Sequence, residues 1–270
     1  MRLGISSYTY TWAVGVPGCA PATPLGVEGL LQRAVALGVG VVQIADNIPL
    51  IHLPEPERER LATRAQVLGL QLEVGTRAVA TEHLLAYLRV AHLMGSRILR
   101  VVTDTVEHKP SKREVMSLLD AVLPSFERAN VIISIENHDR FTAREFIDII
   151  TTLASPHVGI CLDTANSFGA LEGPAMVVQE LAPFTVNLHL KDFAIARLHH
   201  QMGFVIEGRP AGQGRLDVPW LLAQLRNAGS DPNVILELWT PPARNIAETI
   251  AKEALWAEQS IRYLRGLIPD

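Results

Sequence analysis

The chain has 270 residues, 48% of them hydrophobic, with 24 basic and 28 acidic side chains and a formal charge of −4. That is core material for a large α/β domain and excludes a disordered chain, while the absence of any long run of one sign gives no reason to expect a nucleic-acid partner. No apolar stretch is long enough to span a bilayer, residues 1–10 lack the apolar core of a signal peptide, and the two cysteines, Cys19 and Cys161, suit a reducing compartment. A cytoplasmic protein without membrane attachment is expected.

In chain order, residues 2–8 read as a first strand, followed by a Gly/Pro-rich loop over 12–25 and a helix over 26–38 ending at Gly38. VGVVQIADN is strand two, and PEPERERLATRAQVLGL is an amphipathic helix whose prolines sit where a helix start tolerates them. LQLEVGT, TEHLLAYLRVAHLMG and RILRVVT give strand three, a helix and strand four. Ser111 with Glu114, and Thr142 with Glu145, have the spacing of capping boxes that open the next two helices. Between and after them come the apolar runs VIISIENH (131–138), VGICLDTAN (158–166) and VNLHLKD (186–192), with a helix near 174–182. The longest insertion, 193–217, precedes a helix at 218–228, the run VILELW (234–239) and a last helix over 243–265.

Eight strand-then-helix units imply parallel strands, and eight close most naturally as a single (β/α)8 TIM barrel spanning 1–270, with an open doubly wound sheet as the other arrangement. The last four strands each carry one strong donor near the C-terminal end: Glu136, Asp163, His189 and Glu237. Side chains alternate faces along a strand. Ile133/Ile135, Ile160/Leu162, Leu188/Leu190 and Leu236/Leu238 therefore face a helix layer, and the donors face inward. Singly, each donor has an ordinary explanation: a salt-bridged glutamate, a helix N-cap at Asp163, a hydrogen-bonded core histidine. Jointly, three carboxylates and an imidazole buried at one barrel mouth need pairing, protonation or a cation. The oxygen-rich set suits Mn2+ first, with Mg2+, Co2+ and Zn2+ as further candidates.

IENHDRFTAREF, LDTANSFG, HLKDF and ELW resemble the sugar phosphate isomerase/epimerase superfamily, also called xylose isomerase-like TIM barrels. The resemblance covers most of the chain. It implies one divalent ion bound by Glu136, Asp163, His189 and Glu237, with Glu136 and Glu237 also acting as the acid/base pair, a small sugar or polyol as substrate, and a homodimer. Where many ketose epimerases have Asp-x-x-His, this chain has Asp163-Thr164-Ala165-Asn166, a form that resembles the branch acting on phosphorylated pentuloses. Strands two and three offer Gln43 and Glu73 but no histidine, which argues against the family's DNA-repair branch with its additional metal ligands.

The expected activity is proton transfer next to a carbonyl through a metal-stabilised enediolate, giving a sugar or sugar-phosphate isomerase or epimerase. Loss of a β-hydroxyl from the same intermediate would make a dehydratase acting on a keto-sugar or inosose. A sugar-binding barrel without turnover and a nuclease on abasic DNA are the readings from other classes. Substrate contacts are expected from His138, Asn166, Lys191, Arg197, Tyr8 and Trp12. Lys191 has an equally ordinary alternative in an ion pair with a barrel carboxylate. His199, His200 and Arg209 lie in the same insertion, and GRPAGQGRLD has the glycines of an anion-binding loop.

Overall fold

The apolar runs form parallel strands, and the periodic segments between them form the helices that cover those strands. The computed structural model describes residues 1–269. Its elements begin with β1 (Leu3–Ser6), α1 (Thr11–Val14), α2 (Val27–Leu37), β2 (Val41–Ile44), α3 (Glu55–Val67), β3 (Gln71–Arg77) and α4 (Thr81–Leu93). They continue as β4 (Ile98–Val102), α5 (Lys112–Ala129), β5 (Ile132–Glu136), α6 (Ala143–Leu153), β6 (Val158–Asp163), α7 (Pro174–Leu181) and β7 (Thr185–Leu190). The chain ends with β8 (Asp192–Arg197), β9 (Phe204–Arg209), α8 (Val218–Asn227), β10 (Asn233–Leu236) and α9 (Ile246–Arg265). Eight strands close a parallel barrel in the order β1-β10-β7-β6-β5-β4-β3-β2, the (β/α)8 architecture expected from the alternation.

The outward aliphatics Ile133, Ile135, Ile160, Leu162, Leu188, Leu190 and Leu236 are fully buried, packed with apolar stripes such as Leu119, Val122 and Phe126 on α5 and Phe146 and Ile149 on α6. Thr142 and Glu145 complete a reciprocal capping box. Ser111 caps α5 by accepting from Glu114 N, but the return bond is missing because the Glu114 carboxylate turns to His108 Nε2, 3.1 Å away. Among the described residues, no helix is long and apolar enough to cross a membrane.

Four local expectations are corrected. The first strand stops at Ser6, because the Ser6 hydroxyl accepts from Tyr8 N (2.8 Å) and opens a 3-10 turn over Ser7–Tyr10. The loop expected from residue 12 therefore begins with a helical turn, α1. Within 193–217 the chain makes an antiparallel hairpin, β8 against β9, with Ile195 opposite Ile206 and Arg197 opposite Phe204. The anion-binding loop is filled by the protein itself: Asp192 Oδ2 accepts from Gly212 N and Gly214 N (both 2.9 Å), and Oδ1 from Leu216 N (3.0 Å) and Phe193 N (2.8 Å). A Cβ on Gly214 would lie 2.1 Å from Asp192 Oδ1, so only glycine allows this approach.

Candidate active site

Parallel register sets the heights of the donors. Asp163 pairs with His189 across β6 and β7, His189 with Ile235 of β10, and Glu136 with Cys161. Glu237 lies one residue beyond β10, still tied to the barrel by its N–H to Leu190 O (3.1 Å). All four donors point inward and converge. His189 Nδ1 lies 3.2 Å from Glu136 Oε2, 3.4 Å from Glu237 Oε1 and 3.9 Å from Asp163 Oδ2.

Two cations of the chain share this ring. Lys191 Nζ lies 2.6 Å from Asp163 Oδ2 and 2.9 Å from Glu237 Oε2, so the ion pair is what forms at Lys191. Arg100, buried on β4, bonds Glu136 through Nε and Asp46 through Nη1 (2.6 Å), and Arg77 Nε adds a second pair to Asp46 (3.2 Å). In this connected network four carboxylates (Asp46, Glu136, Asp163, Glu237) face three permanent cations (Arg77, Arg100, Lys191), which leaves one negative charge in excess. Burial opposes ionisation of Glu136, but Arg100 outweighs it and holds the carboxyl well below its usual range. Burial likewise opposes charge on Lys191, yet Asp163 and Glu237 raise its pKa and it stays an ammonium.

His189 carries the test of whether the ring suits a metal. Its Nδ1 is fully buried and makes no hydrogen bond, although three carboxylates surround it. Burial works against a charged ring, but Glu237 and Glu136 prevail and raise its pKa, so the carboxylates draw positive charge to this point. Asp163, His189 and Glu237 offer ligand atoms within 4.8 Å of one another, as do Glu136, Cys161 and His189. Burial and the neighbouring carboxylates push the Cys161 thiol well up, which leaves an oxygen-and-nitrogen donor set. An orphaned imidazole nitrogen among three carboxylates fits a divalent cation.

Above the ring opens a cavity of about 310 Å³. Of the residues singled out in the sequence, Tyr8, Trp12, Glu136, His138, Asn166, Lys191 and Glu237 line it. Tyr8 Oη donates to Asp46 Oδ2 (3.1 Å), Trp12 Nε1 to Thr240 O (2.8 Å), and Asn166 Nδ2 to Glu136 Oε1 (2.7 Å). Asp163 serves twice: Oδ1 accepts from Ala165 N and Asn166 N as a turn cap would, while Oδ2 meets Lys191. Arg197 stands apart, exposed on the hairpin with its guanidinium over Phe204 and Nη1 bonded to Gln201 O (3.1 Å). His199 and His200 are at the exposed hairpin tip, and Arg209 bonds Glu207.

The sequence reading passed over Arg100, Asp46, Arg77 and Trp239. The signal at Arg100 was a charge in the middle of the buried strand RILRVVT, whose neighbours Leu99 and Val101 are fully buried. Asp46 follows β2 and Arg77 ends β3, both at the barrel end where sites form.

Residues 31–267 match the family model described as xylose isomerase-like TIM barrel, and the chain belongs to that family. It is 37% identical over 266 residues to the 3-oxo-isoapionate decarboxylase of Pectobacterium atrosepticum, covering 98% of this chain and 95% of that protein. Among solved structures, D-psicose 3-epimerase with D-tagatose from Clostridium cellulolyticum H10 superposes with a TM-score of 0.72 at 16% identity, covering 97% of this chain and 99% of that one. A xylose isomerase-like TIM barrel protein from Mycobacterium smegmatis in complex with magnesium gives 0.68 at 13% identity, with 97% of each chain covered.

Proposed function

We propose that the protein is a divalent-metal-assisted lyase that decarboxylates a small hydroxylated 3-oxo acid. The observation that carries this reading is the charge of the buried ion-paired network, one negative charge in excess. Among these ion-paired groups a divalent ion held by Glu136, Asp163, His189 and Glu237 would turn that excess into one positive charge, which an anionic substrate neutralises and a neutral sugar does not. The likeness to a decarboxylase of a 3-oxo acid over nearly the whole chain supports the same substrate class.

When bound, such an ion supplies Lewis acidity toward the substrate's carbonyl and hydroxyl oxygens. The chain's own residues do the rest. Arg77 lines the cavity, its Nε and Nη1 engaged by Asp46 and Asp104 O (3.1 Å), and its other terminal nitrogen takes the substrate carboxylate. Tyr8, Trp12 and Trp239 wall the mouth and limit water. As CO2 leaves, the bond from the carboxyl carbon to the α-carbon breaks and its electrons pass to the ketone oxygen, giving an enolate, which is an enediolate where the α-carbon carries a hydroxyl. Lys191 and Arg100 are fixed cations beside that developing charge. A proton from solvent then goes to the α-carbon by way of Glu136 or Glu237, whose carboxylates lie 3.2 and 3.4 Å from His189 Nδ1.

The same two glutamates, both at the ring, favour a second reading, isomerisation or epimerisation of a ketose by proton transfer without carbon loss. Carbon-13 and proton NMR in D2O, with Mn2+-loaded protein and freshly prepared 3-oxo acids or ketoses, separates the two. Release of CO2 with one solvent deuteron on the new C–H supports the lyase. Solvent exchange or isomerisation of a ketose without CO2 supports the isomerase, and loss of water instead supports a dehydratase. No turnover of either substrate class with Mn2+, Mg2+, Co2+ or Zn2+ removes all three.

A further inference from the structure

Beneath the ring lies a second polar layer that no step above uses. Glu73 on β3 is fully buried, and among the described residues no cation pairs with it. It accepts instead from three amides: Gln43 Nε2 (3.1 Å), Asn187 Nδ2 (2.8 Å) and Asn233 Nδ2 (2.7 Å). A buried carboxylate without such partners would cost several kcal/mol, on the order of the penalty for any lone buried ion.

Gln43 is the member that matters to the ring. It is Glu73's register partner across β2 and β3, and its side chain reaches over the barrel to β7. A carboxylate only accepts, so Gln43 turns its NH2 to Glu73, and the same group donates to Asn187 Oδ1 (3.0 Å). Both hydrogens are thereby committed. The remaining atom, Oε1, faces His189 Nε2 at 2.7 Å. An oxygen at that distance requires a proton on Nε2. Amide orientation is ordinarily a choice of assignment, and here an acceptor-only neighbour settles it.

We propose that Glu73, acting through Gln43, fixes His189 as the Nε2–H form and so presents Nδ1 to Glu136, Asp163 and Glu237 as a ready ligand. Glu73 and Gln43 are thus positioning residues for the cation, an inference that rests on the metal reading above. Without the relay the imidazole can rotate or place its proton on Nδ1, where it blocks the ring. Loss of an outer partner of this kind weakens metal binding roughly 10–100-fold.

Nitrogen-15 NMR of histidine-labelled protein, without metal and with Zn2+, tests the protonation, and calorimetric titration of Mn2+ tests the affinity. Both are applied to the wild type, Gln43→Met and Glu73→Gln. The relay predicts a slowly exchanging proton on His189 Nε2 in the wild type and roughly 10–100-fold weaker Mn2+ binding in the variants. A His189 protonated on Nδ1 alone overturns it, as do folded variants that bind Mn2+ as tightly as the wild type. Should Gln43→Met not fold, Glu73→Gln, which keeps size and shape, decides. If the wild type binds none of Mn2+, Mg2+, Co2+ and Zn2+, the metal reading falls, while the state of Nε2 still judges the relay separately.

Discussion

The ammonium of Lys191 lies 2.6 Å from Asp163 Oδ2, so this donor of the ring already has a cation supplied by the protein. The same Nζ is 2.9 Å from Glu237 and 5.5 Å from the centre of the Trp239 ring, which places it between the donors and the mouth. Removing one partner of a buried pair is costly, about 3–5 kcal/mol. Lys191→Met is therefore expected to lose about that much stability without metal and to recover more of it than the wild type gains when Mn2+ is added. Thermal unfolding with and without Mn2+ measures both; a smaller metal-induced shift in the variant speaks against a shared site.

Arg77 separates an anionic from a neutral substrate. With two of its nitrogens held by Asp46 and Asp104 O, the guanidinium is preorganised at the cavity wall. A charge-assisted hydrogen bond is worth about 1.5–3 kcal/mol, so Arg77→Met should raise KM for a 3-oxo acid roughly 10–100-fold with little change in kcat. Binding of a neutral ketose should be unaffected. Equal losses on both substrates in steady-state kinetics would discard the assignment.

Glu253 on α9 gives a pH dependence away from the ring. It is fully buried and accepts from Trp12 N (2.9 Å) and Ala13 N (3.1 Å), which holds the segment that brings Trp12 to the mouth. Burial raises its pKa from 4.5 to about 7, only partly offset by those two bonds. Because the folded state keeps the proton longer than the unfolded chain, Glu253's contribution to stability is fully present below about 4.5 and is lost as pH rises toward about 7. The fall is about 3 kcal/mol at one pKa unit per 1.36 kcal/mol. Glu253→Gln should flatten that part of the profile, and urea unfolding of both proteins between pH 5 and pH 8 reads the difference; parallel profiles contradict it.

Gly208 lets the hairpin sit against the rim. A Cβ there would fall 2.1 Å from Trp239 O and 2.8 Å from Trp239 Cβ. Gly208→Ala should push β9 off Trp239, costing about 1–3 kcal/mol and loosening the cavity wall, so kcat/KM should fall along with the unfolding midpoint. Unchanged activity at a lowered midpoint would detach the hairpin from the site.

The barrel was legible because periodicity is a local property: strands of alternating parity and helices with capping residues appear in the sequence one element at a time. Glu136, Asp163, His189 and Glu237 were legible for a similar reason, each standing at the same end of its strand. Arg100 was not, since its meaning depends on Asp46, 54 positions away in the chain, and on Glu136, 36 away. The hairpin was missed because the run Phe193-Ala194-Ile195-Ala196 is only weakly patterned, with Ala194 half-buried and Ile195 exposed. Pairing with Phe204–Arg209, rather than burial, makes it a strand. Lys191 showed its face but not its partner, as parity reports direction and not contact.

Asp192 directly follows Lys191 and gathers the N–H groups of Gly212, Gly214 and Leu216, so the outgoing and returning arms of the insertion are stapled together at their base. A staple of this kind separates the hairpin from the ring of buried donors. Residues added or removed around the exposed tip, near His199 to Gly203, would alter the hairpin without disturbing the backbone that carries Lys191 and His189. The loop is in that sense an exchangeable module on a fixed barrel mouth.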